Sequence, residues 1–129
     1  MNYKYLGAGA LFAAFSVMFG AFGAHQLKEI VDAKDLVTWE TACRYQMVHA
    51  LALLLISQIG VGNKHIKWAG IYFIIGIFLF SGSLYLIALK DVFSMNLKFI
   101  GPLTPIGGLF FIVGWIKVFM FSISNKEKK

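Results

Sequence analysis

The stretch Trp68–Leu89, WAGIYFIIGIFLFSGSLYLIAL, runs for 22 residues without a charged side chain. Twelve of its residues are Leu, Ile, Phe or Val, a content worth roughly −4 to −7 kcal/mol on a membrane-insertion scale. An α-helix needs about 20 apolar residues to cross about 30 Å of hydrocarbon. This stretch therefore predicts a transmembrane helix.

Three further apolar runs of similar length lie around it, at residues 5–24, 45–61 and 103–122. Hydrophobic residues make up 59% of the chain and charged residues 14%, with a mean hydropathy of +0.74. A chain of 129 residues is too short to bury four helices that are apolar all round in a soluble core. We therefore predict an all-α integral membrane bundle of four transmembrane helices, a single four-span domain over residues 1–129 with the lipid bilayer as its surroundings.

Four crossings put both termini on one side of the membrane. Seven of the twelve basic residues then share that side and five lie on the other. The termini side holds Lys4, Lys64, Lys67, Lys117, Lys126, Lys128 and Lys129. Because Lys and Arg are enriched in cytoplasmic loops, we expect both termini to be cytoplasmic and the membrane to be the inner, or cell, membrane.

Other classes of protein lack support in the sequence. The net charge of +6 is not organised into a basic stripe, so no nucleic-acid partner is expected. The single cysteine, Cys43, excludes an internal disulfide, and no Cys/His spacing resembles a zinc site. We assign no cofactor, no metal and no catalytic residue, and expect a protein that is not an enzyme.

The segment between the first two spans predicts a short amphipathic helix on the membrane surface, because residues 27–32 place apolar side chains opposite charged ones. The apolar members are Leu27, Ile30 and Val31. Asp35 is expected to cap the helix that continues through the second span. Glu40 and Arg44 are four residues apart in the favourable order and are expected to form an ion pair.

Small residues recur at helical spacing and predict close packing between helices. The predicted packing residues are Gly9, Ala13, Ser16, Gly20 and Ala24 in span one, Gly82 in span three, and Gly107 and Gly108 in span four. Thr104 and Pro105 are expected to be the cap and first residue of the fourth helix. Such packing favours a homo-oligomer or another membrane protein as the partner.

Polar residues in and beside the spans concentrate in the half of the membrane away from the termini, the outer leaflet. This predicted polar cluster comprises His25, Glu40, Arg44, Tyr45, Gln46, His49, Ser81, Ser83, Tyr85 and Thr104. His49 is its leading functional candidate, since ionisable groups at membrane depth usually face a bundle interior or an aqueous cavity. Histidine can also carry a proton or ligate metal or haem near neutral pH.

Several interpretations of this cluster stay open. The groups could simply bond the helices together, or form a polar vestibule around His49 for a small molecule, an ion or a proton. A haem or metal site using His25 and His49 is a lesser alternative. Hydrolysis by Ser81 or Ser83 with His49 is a formal alternative only.

Four blocks of sequence resemble one family of small membrane proteins. They are GAFGAH at 20–25, TACRYQMVHALAL at 41–53, SGSLY at 81–85 and LTPIGG at 103–108. The chain resembles domain of unknown function 423, the family that includes transmembrane protein 256; Gln26 and Val48 depart from its usual residues. The resemblance implies a multi-pass inner-membrane protein and brings no activity. We therefore expect a non-enzymatic membrane protein that acts by helix packing.

Overall fold

Nearly all residues of the four apolar runs lie in helices in the computed structural model, which describes residues 1–126. The elements are α1 (Tyr3–Ala24), a 3-10 turn (Leu27–Glu29), α2 (Ala33–Gln58), α3 (Lys64–Gly76), a π-helical segment (Ile77–Ser81), α4 (Gly82–Ala88) and α5 (Leu103–Lys126). No strand occurs among these residues, so the predicted all-α class is confirmed. The elements from α3 through α4 follow one another without a break, and we call this continuous helix the α3–α4 rod.

Three helices are long and apolar enough to cross a membrane. They are Tyr3–Glu29, Lys64–Ala88 and Leu103–Asn125, with mean hydropathies of 1.8, 2.2 and 2.0. Helix α2 is long enough, but polar and charged side chains along it lower its hydropathy. The fourth span therefore stays a prediction, and Lys128 and Lys129 of the charge count lie outside the described residues.

Helices α1 and α2 form an antiparallel hairpin in which small residues allow close contact. A Cβ atom added at Gly9 would lie 2.8 Å from the Ala50 carbonyl oxygen, and one added at Gly23 would lie 2.7 Å from the Trp39 indole. Between these points, the Ser16 hydroxyl donates to the Cys43 carbonyl at 2.8 Å. The contact therefore extends along most of α1.

The α3–α4 rod and α5 form a second antiparallel hairpin. A Cβ atom at Gly107 would lie 2.8 Å from the backbone Cα of Phe80, and one at Gly114 would lie 2.6 Å from the Phe73 ring. Phe73, Leu53 and Ile56 are fully buried and join this hairpin to the first one. The hydrophobic core thus lies between two helical hairpins.

The start of α1 and the later part of α5 lie at the same end of the bundle. The backbone N–H of Asn2 donates to the Ser57 carbonyl at 2.8 Å, which brings the start of α1 to the end of α2. Gly60, with φ +57°, lies so close to Phe121 of α5 that an added Cβ would be 2.6 Å from that ring. At the opposite end, Leu27 is buried against Trp39 and Ala88.

Three local predictions were wrong. Asp35 does not cap helix α2. The cap is Asp32, whose carboxylate accepts from the Asp35 N–H at 2.8 Å, because the helix begins one turn earlier than expected.

Thr104 lies inside the first turn of α5, which begins at Leu103, so it does not cap that helix. Glu40 and Arg44 are both exposed, and no ion pair joins them within residues 1–126.

The expected amphipathic helix is reduced to the single 3-10 turn at Leu27–Glu29. Leu27 packs into the end of the bundle while Ile30 remains exposed, so the apolar residues of this segment do not share one surface. Its position on a membrane surface stays a prediction.

The predicted small residues differ in their surroundings. Gly9 and Ser16 are buried between α1 and α2, but Ala24 is exposed and Gly23 takes the buried position. Ala13 is half-buried, and an added Cβ at Gly20 would meet nothing within 4 Å.

The later glycines differ in the same way. Gly107 touches backbone and Gly108 makes only ordinary contacts with the Phe80 ring. An added Cβ at Gly82 would meet only the Ile77 carbonyl of its own helix, at 4.0 Å. The helix approach expected at Gly82 therefore does not occur.

We expect Gly107→Ala to lower the stability of the protein and Gly82→Ala to leave it unchanged or raise it. The first forces a methyl group into the backbone at Phe80 and should cost about 1–3 kcal/mol. The second fills open space in a helix and should be neutral or stabilising by about 0.5–1 kcal/mol. Unfolding in detergent followed by circular dichroism measures both, and equal effects would contradict the close approach at Gly107.

Candidate functional site

His49 lies in the interior of the bundle with both ring nitrogens hydrogen-bonded. Its side chain is 3% exposed, and its ring stacks on Phe111 with 3.5 Å between ring centroids and 6° between planes. Nδ1 lies 2.7 Å from the Tyr45 carbonyl oxygen. Nε2 lies 3.1 Å from the indole nitrogen of Trp115 in α5.

The hydrogen-bond partners of His49 determine which of its ring nitrogens carries the proton. A carbonyl oxygen can only accept and an indole N–H can only donate, whereas a neutral imidazole does one of each. Nδ1 must therefore carry the proton and donate to Tyr45, while Nε2 accepts from Trp115. In this arrangement neither nitrogen of His49 is free to bind a metal, a haem iron or a further proton.

A second polar contact joins α1, α2 and α4. The amide nitrogen of Gln46 donates to the Phe12 carbonyl at 2.8 Å, and the Tyr85 hydroxyl donates to the Gln46 amide oxygen at 2.8 Å. The Tyr85 oxygen also lies 3.6 Å from the Cys43 sulfur. Gln46 is thereby held from both sides.

Two serines bridge other pairs of helices. The Ser81 hydroxyl donates to the Ala42 carbonyl of α2 at 2.8 Å, and Ser81 is fully buried. Ser83 and Thr104 share a hydrogen bond of 2.6 Å between the rod and α5. Ser83 also contacts the Phe80 carbonyl at 2.9 Å, so neither serine is positioned beside His49 as a nucleophile.

The side chains of the remaining members of the predicted polar cluster form none of these hydrogen bonds. His25, Glu40 and Arg44 are exposed. Tyr45 is 41% exposed and packs its ring against Phe80, with centroids 4.6 Å apart. Within the part of the chain that the structure describes, no hydrogen bond links the His49, Gln46, Ser81 and Ser83 contacts to one another, so they are separate bridges between helices.

Sequence reasoning missed an ion pair between the start of α2 and the end of α4. The Lys90 ammonium lies 2.8 and 3.0 Å from the two carboxylate oxygens of Asp35, and the Asp35 side chain is 4% exposed. Hydrogen bonding to Asp35 raises the pKa of Lys90 above its ordinary value. The sequence contained one indication of this ion pair, because the predicted topology places Asp35 and Lys90 at the same end of the bundle.

Sequence reasoning also missed Trp115 as a partner of His49, because a contact between two helices depends on how each helix is rotated about its axis. Among residues 1–126, no three His, Cys, Asp or Glu side chains are grouped as metal ligands would be. Every buried side-chain nitrogen or oxygen of the described residues has a hydrogen-bond partner. The site is therefore a set of satisfied polar bridges inside an apolar helical bundle.

An apolar helical bundle with three membrane-capable helices defines a membrane protein, and comparison with known proteins gives its family. The profile described as "Protein of unknown function (DUF423)" matches residues 19–108. The chain belongs to this family, which confirms the resemblance seen in the sequence blocks.

Relatives occur in bacteria and yeast, and those compared are named UPF0382 membrane proteins. The chain is 48% identical to one from Staphylococcus saprophyticus, over 84% of this chain and 87% of that protein. It is 40% identical to one from Haemophilus influenzae, over 98% and 99% of the two chains. It is 42% identical to one from Schizosaccharomyces pombe, over 82% and 90%. No solved structure matches the chain.

We expect Trp115→Phe to destabilise the protein by about 1–3 kcal/mol, because His49 Nε2 would remain buried without a donor. Trp68→Phe is the matched control, because Trp68 is 40% exposed and Trp115 is 41% exposed. Unlike Trp115, the Trp68 indole makes no hydrogen bond within the described residues. Unfolding in detergent measures both variants. Equal losses would contradict the importance of the bond to His49.

Proposed function

We propose that this protein is a non-enzymatic, four-span membrane scaffold that acts by helix packing in an oligomer or a larger membrane complex. The observation that carries the proposal is that the buried polar side chains of residues 1–126 are all satisfied within the bundle. A catalytic or conducting site needs polar groups that can exchange partners with a substrate or with water. The His49 contacts therefore favour a structural role over a conduit.

The packing of α2 supports its assignment as the fourth span. It runs antiparallel to α1 from the contact of Gly23 with Trp39 to the contact of Gly9 with Ala50. Because the two helices lie side by side over this length, a bilayer crossed by α1 would be crossed by α2 as well. Gln46 and His49 are shielded inside the bundle, whereas Leu51 and Leu55 are 53% exposed, as a lipid-facing surface requires.

The orientation is proposed from the charge count of the sequence. With four spans in the inner membrane, the termini side holds seven of the twelve basic residues when Lys128 and Lys129 are counted, so we propose that both termini are cytoplasmic. The 3-10 turn at Leu27–Glu29 and the loop after α4 would then lie at the outer surface.

Single cysteines test the fourth span directly in a Cys43→Ala background. We expect a membrane-impermeant maleimide to label Lys28→Cys on intact cells and Lys64→Cys only after permeabilisation, because α2 separates these exposed positions. Ser124→Cys should behave like Lys64→Cys. Labelling of Lys28→Cys and Lys64→Cys from one compartment would contradict a span at α2.

The outward side of α1 supports assembly with another copy. The predicted stripe at Gly9 and Ser16 is already occupied by α2 and is not available to a partner. A second set of small residues is exposed on the same helix, at Gly7, Ala10, Ala14 and Ala21. Small side chains let helix backbones approach closely in lipid, so this face suits contact with α1 of a second copy.

Disulfide crosslinking in native membranes tests this contact, again with Cys43→Ala. We expect Ala14→Cys to give a covalent dimer under mild oxidation. Ile112→Cys, at a 56% exposed position of α5, should give little dimer and serves as the control. Equal yields at the two positions, or none at Ala14→Cys, would contradict a homo-oligomer formed through α1.

A further inference from the structure

A cavity of about 400 Å³ lies between α1 and the α3–α4 rod, and the proposed scaffold role makes no use of it. Phe15 lines one wall and Phe78 and Gly82 line the other. Edge-to-face pairs bound its length, with Phe12 and Phe78 at 5.6 Å and Phe19 and Tyr85 at 5.1 Å between centroids. Phe12 and Phe19 are seven positions apart in α1, which corresponds to about 10 Å along the helix.

Gly82 keeps this space open. Gly107 and Gly114 meet the neighbouring helix so closely that an added Cβ would clash, whereas one at Gly82 would meet no atom of another helix within 4 Å. The π-helical segment Ile77–Ser81 ends just before Gly82. Wide π turns inside α-helices often occur at functional sites. Here the π-helical segment and Gly82, which has no side chain, both lie beside the cavity.

The chemistry of the walls limits what the cavity can hold. No charged side chain lines it, so an ionic ligand would be buried without a counter-charge. Its two polar side chains, Gln46 and Tyr85, bond to each other and to the Phe12 carbonyl. A buried water molecule needs two to four polar partners, and these walls do not offer them.

The rim of the cavity indicates the occupant. Leu11 is 58% exposed, Phe15 40% and Phe78 64%, and all three lie on the two helices with mean hydropathies of 1.8 and 2.2. When these helices are in a bilayer, the molecules at the opening are lipid chains. We propose that the cavity is a binding site for one acyl chain of a membrane phospholipid, inserted between α1 and the α3–α4 rod. The proposal depends on the membrane position of these helices, and not on self-assembly.

Photolabelling in liposomes tests the site, using phosphatidylcholine vesicles doped with a phospholipid that carries a diazirine midway along one acyl chain. We expect adducts on Leu11, Phe15 and Phe78 to exceed those on Leu109 and Phe119 of α5, which are 61% and 63% exposed. The excess should be at least about threefold, since a pocket surrounds most of its ligand while a flat helix face touches one side of it.

Gly82→Leu should fill the cavity and lower labelling of the rim residues to the level of α5. Gly20→Leu is the matched control, because it also adds a side chain to a helix where nothing lies within 4 Å, but away from the cavity walls. Circular dichroism verifies that both variants are folded.

Three results would overturn the proposal. One is equal labelling of the rim and α5, and another is labelling unchanged by Gly82→Leu. The third is native mass spectrometry that finds a different apolar molecule retained by the protein and lost from the Gly82→Leu variant. Absence of adducts on every helix would overturn the membrane position as well, whereas failure of the crosslinking at Ala14→Cys would affect only the scaffold role.

Discussion

Close backbone approach within two helical hairpins is the constraint on which the rest of the structure depends. In lipid, apolar side chains gain little by leaving one apolar environment for another, so van der Waals contact and hydrogen bonds between helices carry most of the association. Gly9 and Gly23 bring α1 against α2, and Gly107 and Gly114 bring α5 against the rod. An added Cβ at Gly9 or Gly107 would clash with the backbone of the neighbouring helix, and one at Gly23 or Gly114 would clash with a buried aromatic ring. Either the helices would have to move apart or the ring would have to shift.

Hydrogen bonds between the helices depend on this closeness. Ser16 reaches the Cys43 carbonyl only because α1 and α2 nearly touch, and Ser83 reaches Thr104 for the same reason in the second hairpin. Backbone groups in an apolar medium already pair within each helix, so side chains supply the links between helices. His49 is the central example, since its two nitrogens join a carbonyl of its own helix to Trp115 of α5.

The fold class and the helix positions could be predicted from the sequence, because length and composition determine which segments an apolar medium accepts. The four apolar runs and the high apolar content were sufficient for that. The contacts of the site could not be predicted, because they depend on how each helix is rotated about its axis. A small rotation decides that Gly23 and not Ala24 meets α2. Gly82 and Gly107 look alike in sequence, yet one borders a cavity and the other touches backbone.

The division into two hairpins has a consequence for biogenesis. Helix α2 is the least apolar of the long helices, and its Gln46 amide nitrogen donates to the carbonyl of Phe12 in the helix made just before it. In a bilayer crossed by both helices, the first hairpin would leave the translocation machinery with the Gln46 amide nitrogen already bonded, while His49 and Asp35 would still await their partners in the second hairpin. The second hairpin then joins it through Phe73, Trp115 and the Asp35–Lys90 ion pair. With α2 as a span, assembly in two stages would follow from where the polar groups find their partners.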